Sequence, residues 1–479
     1  MAALPCFLFC LLLFASPSLQ SQTPPDVRKH LKKLNKPAVK SIKSPDGDVI
    51  DCVPIEKQLA FDHPLLVNHK IQTKPNYHPE GLFEDMKVTS SAAESVDQKT
   101  GSIKQLWHRN GRCAQGTIPV RRTTRADVTR AKKVEHFGMK KQKYQAAVPR
   151  FQPQSADPGF IQTGHEVLNA RRPFNLLTVA GHLMICVIIV CVVGWMIQHA
   201  IAYVEDGRFY GAKATMNVWK PHIQDSNEFS LSQIWVLGGT FDLDLNSIEA
   251  GWQVRFLFYA IFPSLQHQLD FSFDKLFFPF DAIYLTQVSP DMYGDNNTRL
   301  FTYWTGDTYQ ATGCYNLLCS GFVQLNSDIA LGASIYPISN YGNSQYDISI
   351  LIWKDQSEGH WWMQFGTDHV IGYWPSTLFS LLTDSASMIE WGGEVVNSAA
   401  DGQHTTTQMG SGHFPKEGFG KASYFRNIQV VDESNILREP KDVGTYTEKP
   451  NCYSVQTGNN GKWGNYFYYG GPGRSPDCP

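Results

Sequence analysis

From His199 to the C-terminus the chain is a succession of short runs rich in β-branched and aromatic residues: 199–204, 211–218, 230–237, 248–254, 298–305, 321–325, 347–353, 361–365 and 421–431. Gly, Asn, Asp and Pro separate them. Runs this short, with turn residues between them, predict an all-β fold, an antiparallel β-sandwich. No glycine-rich phosphate loop, Cys-pair zinc spacing or His-Glu-x-x-His stretch occurs, so the sequence offers no metal or cofactor site.

One further stretch, 387–396, also reads as a strand and continues into the polar segment 403–413. Met388, Glu390, Gly392 and Glu394 then share one face, because side chains alternate along a strand. Two carboxylates beside paired glycines make a gap that an extended peptide could enter. On pattern alone the same residues describe an exposed polar strand face, the commoner case. The dense aromatics, Trp304, Trp353, Trp361, Trp362, Trp374, Trp391 and Trp463, read first as core, with a few free to line a slot for proline or sugar rings.

The first 22 residues resemble a secretory signal peptide, with an apolar run from Leu4 to Ala15. Eight cysteines follow it, and six fit a secreted protein. Cys52 and Cys113 are economically paired, Cys314 and Cys319 form a local staple, and Cys452 and Cys478 tie down a Tyr/Gly/Asn-rich tail. Asn296 opens a glycosylation sequon. Residues 23–150 hold 25 Lys+Arg against 13 Asp+Glu, a formal +12; residues 151–479 hold 17 against 31, a formal −14. The split predicts a basic N-terminal domain docked on an acidic partner domain. Nucleic acid is not an expected partner, since the basic residues form no helical stripe. Within the N-terminal unit, 26–34 predicts a short amphipathic helix, 132–143 a basic exposed segment and 145–159 a linker with a plausible processing site.

Five motifs then carry a resemblance: Asn246-Ser247-Ile248-Glu249-Ala250-Gly251-Trp252-Gln253-Val254, Ser289-Pro290-Asp291-Met292-Tyr293-Gly294-Asp295, Thr312-Gly313-Cys314-Tyr315-Asn316, Trp391-Gly392-Gly393-Glu394-Val395 and Gln408-Met409-Gly410-Ser411-Gly412-His413-Phe414. The chain resembles the plant neprosin-type proteins, glutamic peptidases that cleave after proline. The stretches Gly111-Arg112-Cys113 and Gly116-Thr117-Ile118-Pro119 resemble that family's activation propeptide. The resemblance implies a signal peptide (1–22), an inhibitory propeptide with linker (23–150) and a β-sandwich catalytic domain (151–479). It implies a catalytic pair at Glu249 and Glu394, with Glu390 the rival for the second position, and substrate contacts at Trp252, Trp391 and Gln408. No cofactor or metal is implied; the partners would be proline-containing peptides and the chain's own propeptide. One ionised glutamate would take a proton from water while the other, protonated, donates one.

Two stretches depart from the family pattern, 167–198 and 255–288. The first contains the apolar run 176–197, long enough to cross a membrane. A span there, behind a cleaved signal peptide, would put Cys314, Cys319, Cys452, Cys478 and the sequon on the cytosolic side, so both stretches read as foreign to the fold, such as retained introns. The expected location is therefore secreted or vacuolar, with a membrane anchor through 176–197 as the alternative. The competing functions are a non-catalytic carbohydrate- or cell-wall-binding β-sandwich, a glycosidase built on paired carboxylates, and an isoform inactivated by the two stretches.

Overall fold

In the computed structural model, residues 25–80, 103–131, 134, 137–140, 196–241, 243–255, 292–399 and 402–479 are described. The N-terminal unit comprises α1 (Pro25–Leu34), β1 (Lys40–Lys43), β2 (Val49–Pro54), β3 (Lys104–Gln105), β4 (Thr117–Arg121) and α2 (Arg125–Arg130). Val27, Leu31 and Leu34 fall on one stripe of α1 and pack with Val128 of α2 and Phe137. α2 begins in a capping box, Thr124 and Asp127 each accepting the other's backbone N–H. β1, β2 and β4 form an antiparallel sheet that the Cys52–Cys113 disulfide ties to the segment before β4.

The second unit is all strand. It runs β5 (Met196–Val204), β6 (Gly211–Asn217), β7 (Phe229–Gly238), β8 (Asn246–Arg255), β9 (Arg299–Thr305), β10 (Cys314–Tyr315), β11 (Val323–Gln324) and β12 (Ile335–Tyr336). It continues with β13 (Asp347–Lys354), β14 (Trp361–Phe365), β15 (His369–Trp374), β16 (Met388–Asn397), β17 (Ser423–Val431), β18 (Leu437–Arg438), β19 (Gly444–Thr447), β20 (Ser454–Asn460) and β21 (Gly464–Gly470). A seven-stranded antiparallel sheet has the order β10-β9-β8-β7-β16-β5-β19. A nine-stranded one has the order β11-β15-β14-β13-β6-β17-β21-β20, with β18 beside β17. The expected antiparallel sandwich is thus present. Six of its strands, β10, β15, β18, β19, β20 and β21, are not among the runs read from the sequence. The three expected cysteine pairs are all disulfides.

Strand parity builds the core. On β8, Ile248, Ala250, Trp252 and Val254 point between the sheets, where they meet Ile348, Ile350 and Ile352 of β13 and Trp361 and Met363 of β14. The odd residues of β8 lie on the other face. β7 and β16 alternate likewise, with Ile234, Val236, Ile389, Trp391 and Val395 in the same core. Trp252 and Trp391 therefore do not line a substrate site. Each is an odd number of residues from its glutamate, which puts it on the opposite face. Both are fully buried, and Trp252 Nε1 donates to Asn217 O at 3.0 Å.

The strands also bound the two departures from the family pattern. Met196, Ile197 and Gln198 pair in register with Asn397, Val396 and Val395, and Arg255 pairs with Phe229. So both departures give residues to the sheet. The rest of these stretches, the apolar run 176–195 included, lies outside the described residues, as do residues 1–22 and 145–159. Among the described residues no helix is long and apolar enough to cross a membrane.

The N-terminal unit clasps both sheets. β3 adds to β12, pairing Lys104 with Tyr336 and Gln105 with Ile335. Ala60 and Phe61 sit on the outer face of the nine-stranded sheet, against Trp353, Trp362 and Tyr373. The net charges predict basic side chains of the first unit on acidic ones of the second, but the ion pairs run both ways. Lys140–Glu249 and Arg112–Asp328 follow that sense; Asp48–Arg299 and Glu80–Lys213 reverse it. Asp48 is held between Arg121 of its own unit, at 2.7 Å, and Arg299, at 2.6 Å. Local geometry, not the charge split, decides this contact.

Because Trp252 fills the centre of the inter-sheet core, Trp252→Ala is expected to destabilise the chain by about 3–5 kcal/mol in denaturant unfolding. A loss below about 1 kcal/mol would remove it from the core.

Candidate active site

The outer face of the seven-stranded sheet carries the polar residues that parity excludes from the core. Reading across the pairings, Glu249 of β8 lies opposite Trp235 of β7, which lies opposite Glu390 of β16, which faces Tyr203 of β5. The next row is Gly251, Gln233, Gly392 and Ile201. The third is Gln253, Leu231, Glu394 and His199. Glu249, Gln233 and Glu394 thus run diagonally across three neighbouring strands, with a glycine on each side of Gln233. This face is not the exposed polar surface that pattern alone suggests: Glu249 is fully buried, Glu394 is 3% exposed and Glu390 9%.

Glu249 is surrounded by donors. Its Oε1 accepts from Tyr309 Oη at 2.9 Å and Ser247 Oγ at 3.2 Å. Its Oε2 accepts from Gln233 Nε2 at 3.1 Å and from Lys140 Nζ at 2.5 Å. Lys140 belongs to the N-terminal unit, in the segment expected to be basic and exposed, and it is only 3% exposed. Its ammonium lies 5.0 Å from the centre of the Tyr303 ring, 5.8 Å from that of Tyr309 and 5.7 Å from that of Tyr315. Its backbone N–H donates to Tyr303 Oη at 3.1 Å, and Gly138 O accepts from the Tyr315 N–H at 2.8 Å. Burial opposes the charge on Lys140, but Glu249, with Tyr315 and Glu394, outweighs it and holds the ammonium well above its usual range.

Glu394 has the opposite surroundings. Burial raises its pKa, with Lys140 and His199 as partial offsets, and its Oε1 has no hydrogen-bond partner. Glu390 lines a small cavity with His199, Tyr203, Trp235, Tyr309 and Tyr446, and burial pushes its carboxyl up to about 7. His199 donates from its backbone to Glu448 Oε2 at 2.5 Å and pairs through Nδ1 with Oε1 at 2.8 Å. Burial works against the imidazolium, but Glu448 prevails and raises His199 to about 9.

The structure therefore brings Glu249, Glu390 and Glu394 to one face, while Trp252 and Trp391 lie behind it. Gln408 is elsewhere: its Oε1 accepts from the His222 N–H at 2.9 Å and its own N–H donates to His222 O, which fixes a loop. Asn296 is exposed, and the sequon's Thr298 is buried with its hydroxyl on Trp219 O. Sequence reasoning missed Lys140, Gln233 and the three tyrosines. Parity relative to Glu249 could have flagged Gly251 and Gln253 on its own strand, but nothing local marks residues from other strands. His404, Cys452 and Cys478 cluster together, but the two cysteines are disulfide-bonded and not free to hold a metal.

Comparison with known proteins follows the same division of the chain. The Neprosin activation peptide family matches residues 41–167 and the Neprosin family matches residues 284–472. Neither match includes β7 or β8, which the sheet register joins to β9 and β16. A crystal structure of scytalido-glutamic peptidase with a peptide-based transition-state analogue is similar at 10% identity over 58% of this chain and 99% of that one, with a TM-score of 0.30. SCP-B, a member of the Eqolisin family in complex with the tripeptide Ala-Ile-His, is similar at 10% identity over 57% and 98%, with a TM-score of 0.28. The two family matches, one on the N-terminal unit and one on the β-sandwich, support a neprosin-type protein that carries its own activation peptide.

Proposed function

We propose that the chain is the secreted or vacuolar zymogen of a glutamic endopeptidase that hydrolyses peptide bonds after proline at acid pH. The observation that carries this reading is the Lys140–Glu249 pair. A cation from the activation peptide is buried on a carboxylate that shares a sheet face with a second, protonation-prone carboxylate. An ammonium so placed blocks the site and neutralises the base it needs. Three disulfides support an oxidising compartment. The tyrosine-lined surroundings of Glu249 support a slot for a flat, apolar ring such as proline's.

The surroundings of the two glutamates support a division of labour. Glu249 receives several donors, which suits an ionised general base. Glu394, raised by burial, suits the protonated acid. With Lys140 withdrawn, Glu249 takes a proton from water as the water oxygen attacks the scissile carbonyl, and Glu394 protonates the carbonyl oxygen. The C–N bond then breaks as Glu249 returns its proton to the leaving amine, and Glu394 recovers its own from the hydroxyl. In full-length protein activated at acid pH, Glu249→Gln and Glu394→Gln are each expected to lower turnover of a proline-containing peptide by at least about 10²-fold while preserving the fold. An active Glu394→Gln beside a dead Glu390→Gln would move the second role to Glu390. Activity in all three variants would sink the glutamic-peptidase reading.

Release at acid pH is supported by histidines where the two units meet. His69 Nε2 lies 2.7 Å from Tyr373 Oη, a hydroxyl that also accepts from the Gln72 N–H. His78 Nδ1 accepts from the Glu80 N–H while its Nε2 donates to Gln364 Oε1 at 2.7 Å. His360 Nδ1 accepts from the Ser376 N–H. The His78 and His360 rings each need a lone pair that protonation removes. Burial lowers all three pKa values, His360 to about 4. A group whose pKa is depressed in the docked state stabilises docking above its free value near 6.5, and loses that contribution as pH falls towards the depressed one. The activation peptide of the full chain, nicked by protease at neutral pH, is thus expected to dissociate progressively between about pH 6.5 and 4. His78→Gln with His360→Gln should move the dissociation midpoint to lower pH in size-exclusion chromatography; an unmoved midpoint would rule the histidines out.

A further inference from the structure

Gln233 stands at the centre of the site, fully buried, with only Gly251 and Gly392 opposite it on the neighbouring strands. Neither neighbour has a side chain to fill the space beside its amide. The amide orientation is settled by chemistry: the atom 3.1 Å from Glu249 Oε2 faces a carboxylate oxygen, so it is the NH₂ donor. Its Oε1 therefore points elsewhere, and it is buried without a hydrogen-bond partner, as is Glu394 Oε1. A buried amide oxygen without a donor is costly unless something that donates arrives. Water carries two donor hydrogens.

Resting on the glutamic-peptidase reading, we propose that Gln233 is a third catalytic residue, which holds the attacking water. The water donates one hydrogen to Glu249 and the other to Gln233 Oε1, and this fixes the lone pair that attacks the scissile carbon. When the C–O bond forms, Glu249 takes the first proton. The second stays on the oxygen that becomes the carboxyl of the product, and Gln233 neither gains nor loses a proton. The Nε2–H bond to Glu249 Oε2 locks the amide so that Oε1 cannot turn away. Lys140 donates to that same Oε2. The activation peptide therefore competes for the oxygen that orients Gln233 as well as for the base.

The test uses full-length protein activated at acid pH, with a proline-containing peptide and three variants. Gln233→Met keeps the shape and removes both donor and acceptor; it is expected to lower kcat by about 10²-fold with KM little changed, and with an unaltered melting temperature. Gln233→Glu is the informative partner. Protonated, its carboxyl offers one O–H to Glu249 and one C=O to water, as the amide does. Its activity should match wild type at the lowest pH and fall away as that carboxyl ionises, giving a steeper alkaline limb. If Gln233→Met retains full kcat, or if Gln233→Glu is as inactive as Gln233→Met at every pH, Gln233 does not hold the water. A Gln233→Met variant whose pH profile shifts while its plateau kcat is kept would make Gln233 a support for Glu249 alone, which also overturns the proposal. Glu249→Gln separates the two readings: if it stays active the glutamic-peptidase reading fails first, and if it is dead while Gln233→Met is active only the Gln233 assignment falls. A wild-type chain without turnover under these conditions sinks both.

Discussion

A single buried contact, Lys140 on Glu249, organises the relation between the two units. A lone ammonium or a lone carboxylate at that depth would be strongly disfavoured, and each is held there by the other. Removing one partner alone would leave a stranded charge, so the activation peptide and the sheet are coupled at this point. The three tyrosine rings add an electrostatically favourable cage without adding charge. The rest of the docking contact includes the Asp48–Arg299 pair and the shared β3–β12 edge.

The second organising constraint is the period of two along β7, β8 and β16. It sends Trp252, Trp391 and the aliphatic residues inward, and it gathers the carboxylates and Gln233 on the other face. The same strands are buried on both sides, so the polar face is not water-exposed even though it is not the core. That burial makes the chemistry available. In a solvated face, Glu394 and Glu390 would be plain anions. Beneath the N-terminal unit and the surrounding tyrosines, one carboxyl can be kept protonated beside another that is not.

Much of this was legible in the sequence, and the failures have physical reasons. The sandwich, the disulfide pairs and the shared face of Glu390 and Glu394 follow from strand patterning, cysteine spacing and parity, while Glu249 came from the family resemblance. The assignment of Trp252 and Trp391 to substrate contact fell to the same parity, which was applied to Glu390 and Glu394 but not to their neighbours. Lys140 was unreadable because its partner is 109 residues away and reached only by docking. A lysine in a basic run has no local sign that it is the one to be buried. The histidines failed for the same reason. His69 and His78 acquire their meaning from Tyr373 and Gln364, on strands far along the chain, and β15, which holds Tyr373, was itself not among the runs read as strands. Net charge misled in a different way, since a surplus spread over a whole segment says little about the few pairs that touch.

The pairing of β3 with β12 has a consequence for the protein after its activation peptide is gone. Ile335 and Tyr336 then regain a free row of N–H and C=O groups, and the outer Trp353, Trp362 and Tyr373 lose the cover of Ala60 and Phe61. An open strand edge and an uncovered aromatic patch are each a template for self-association. The activation peptide thus covers surfaces that would otherwise favour self-association. The mature form's colloidal behaviour would be set by whatever next occupies that edge.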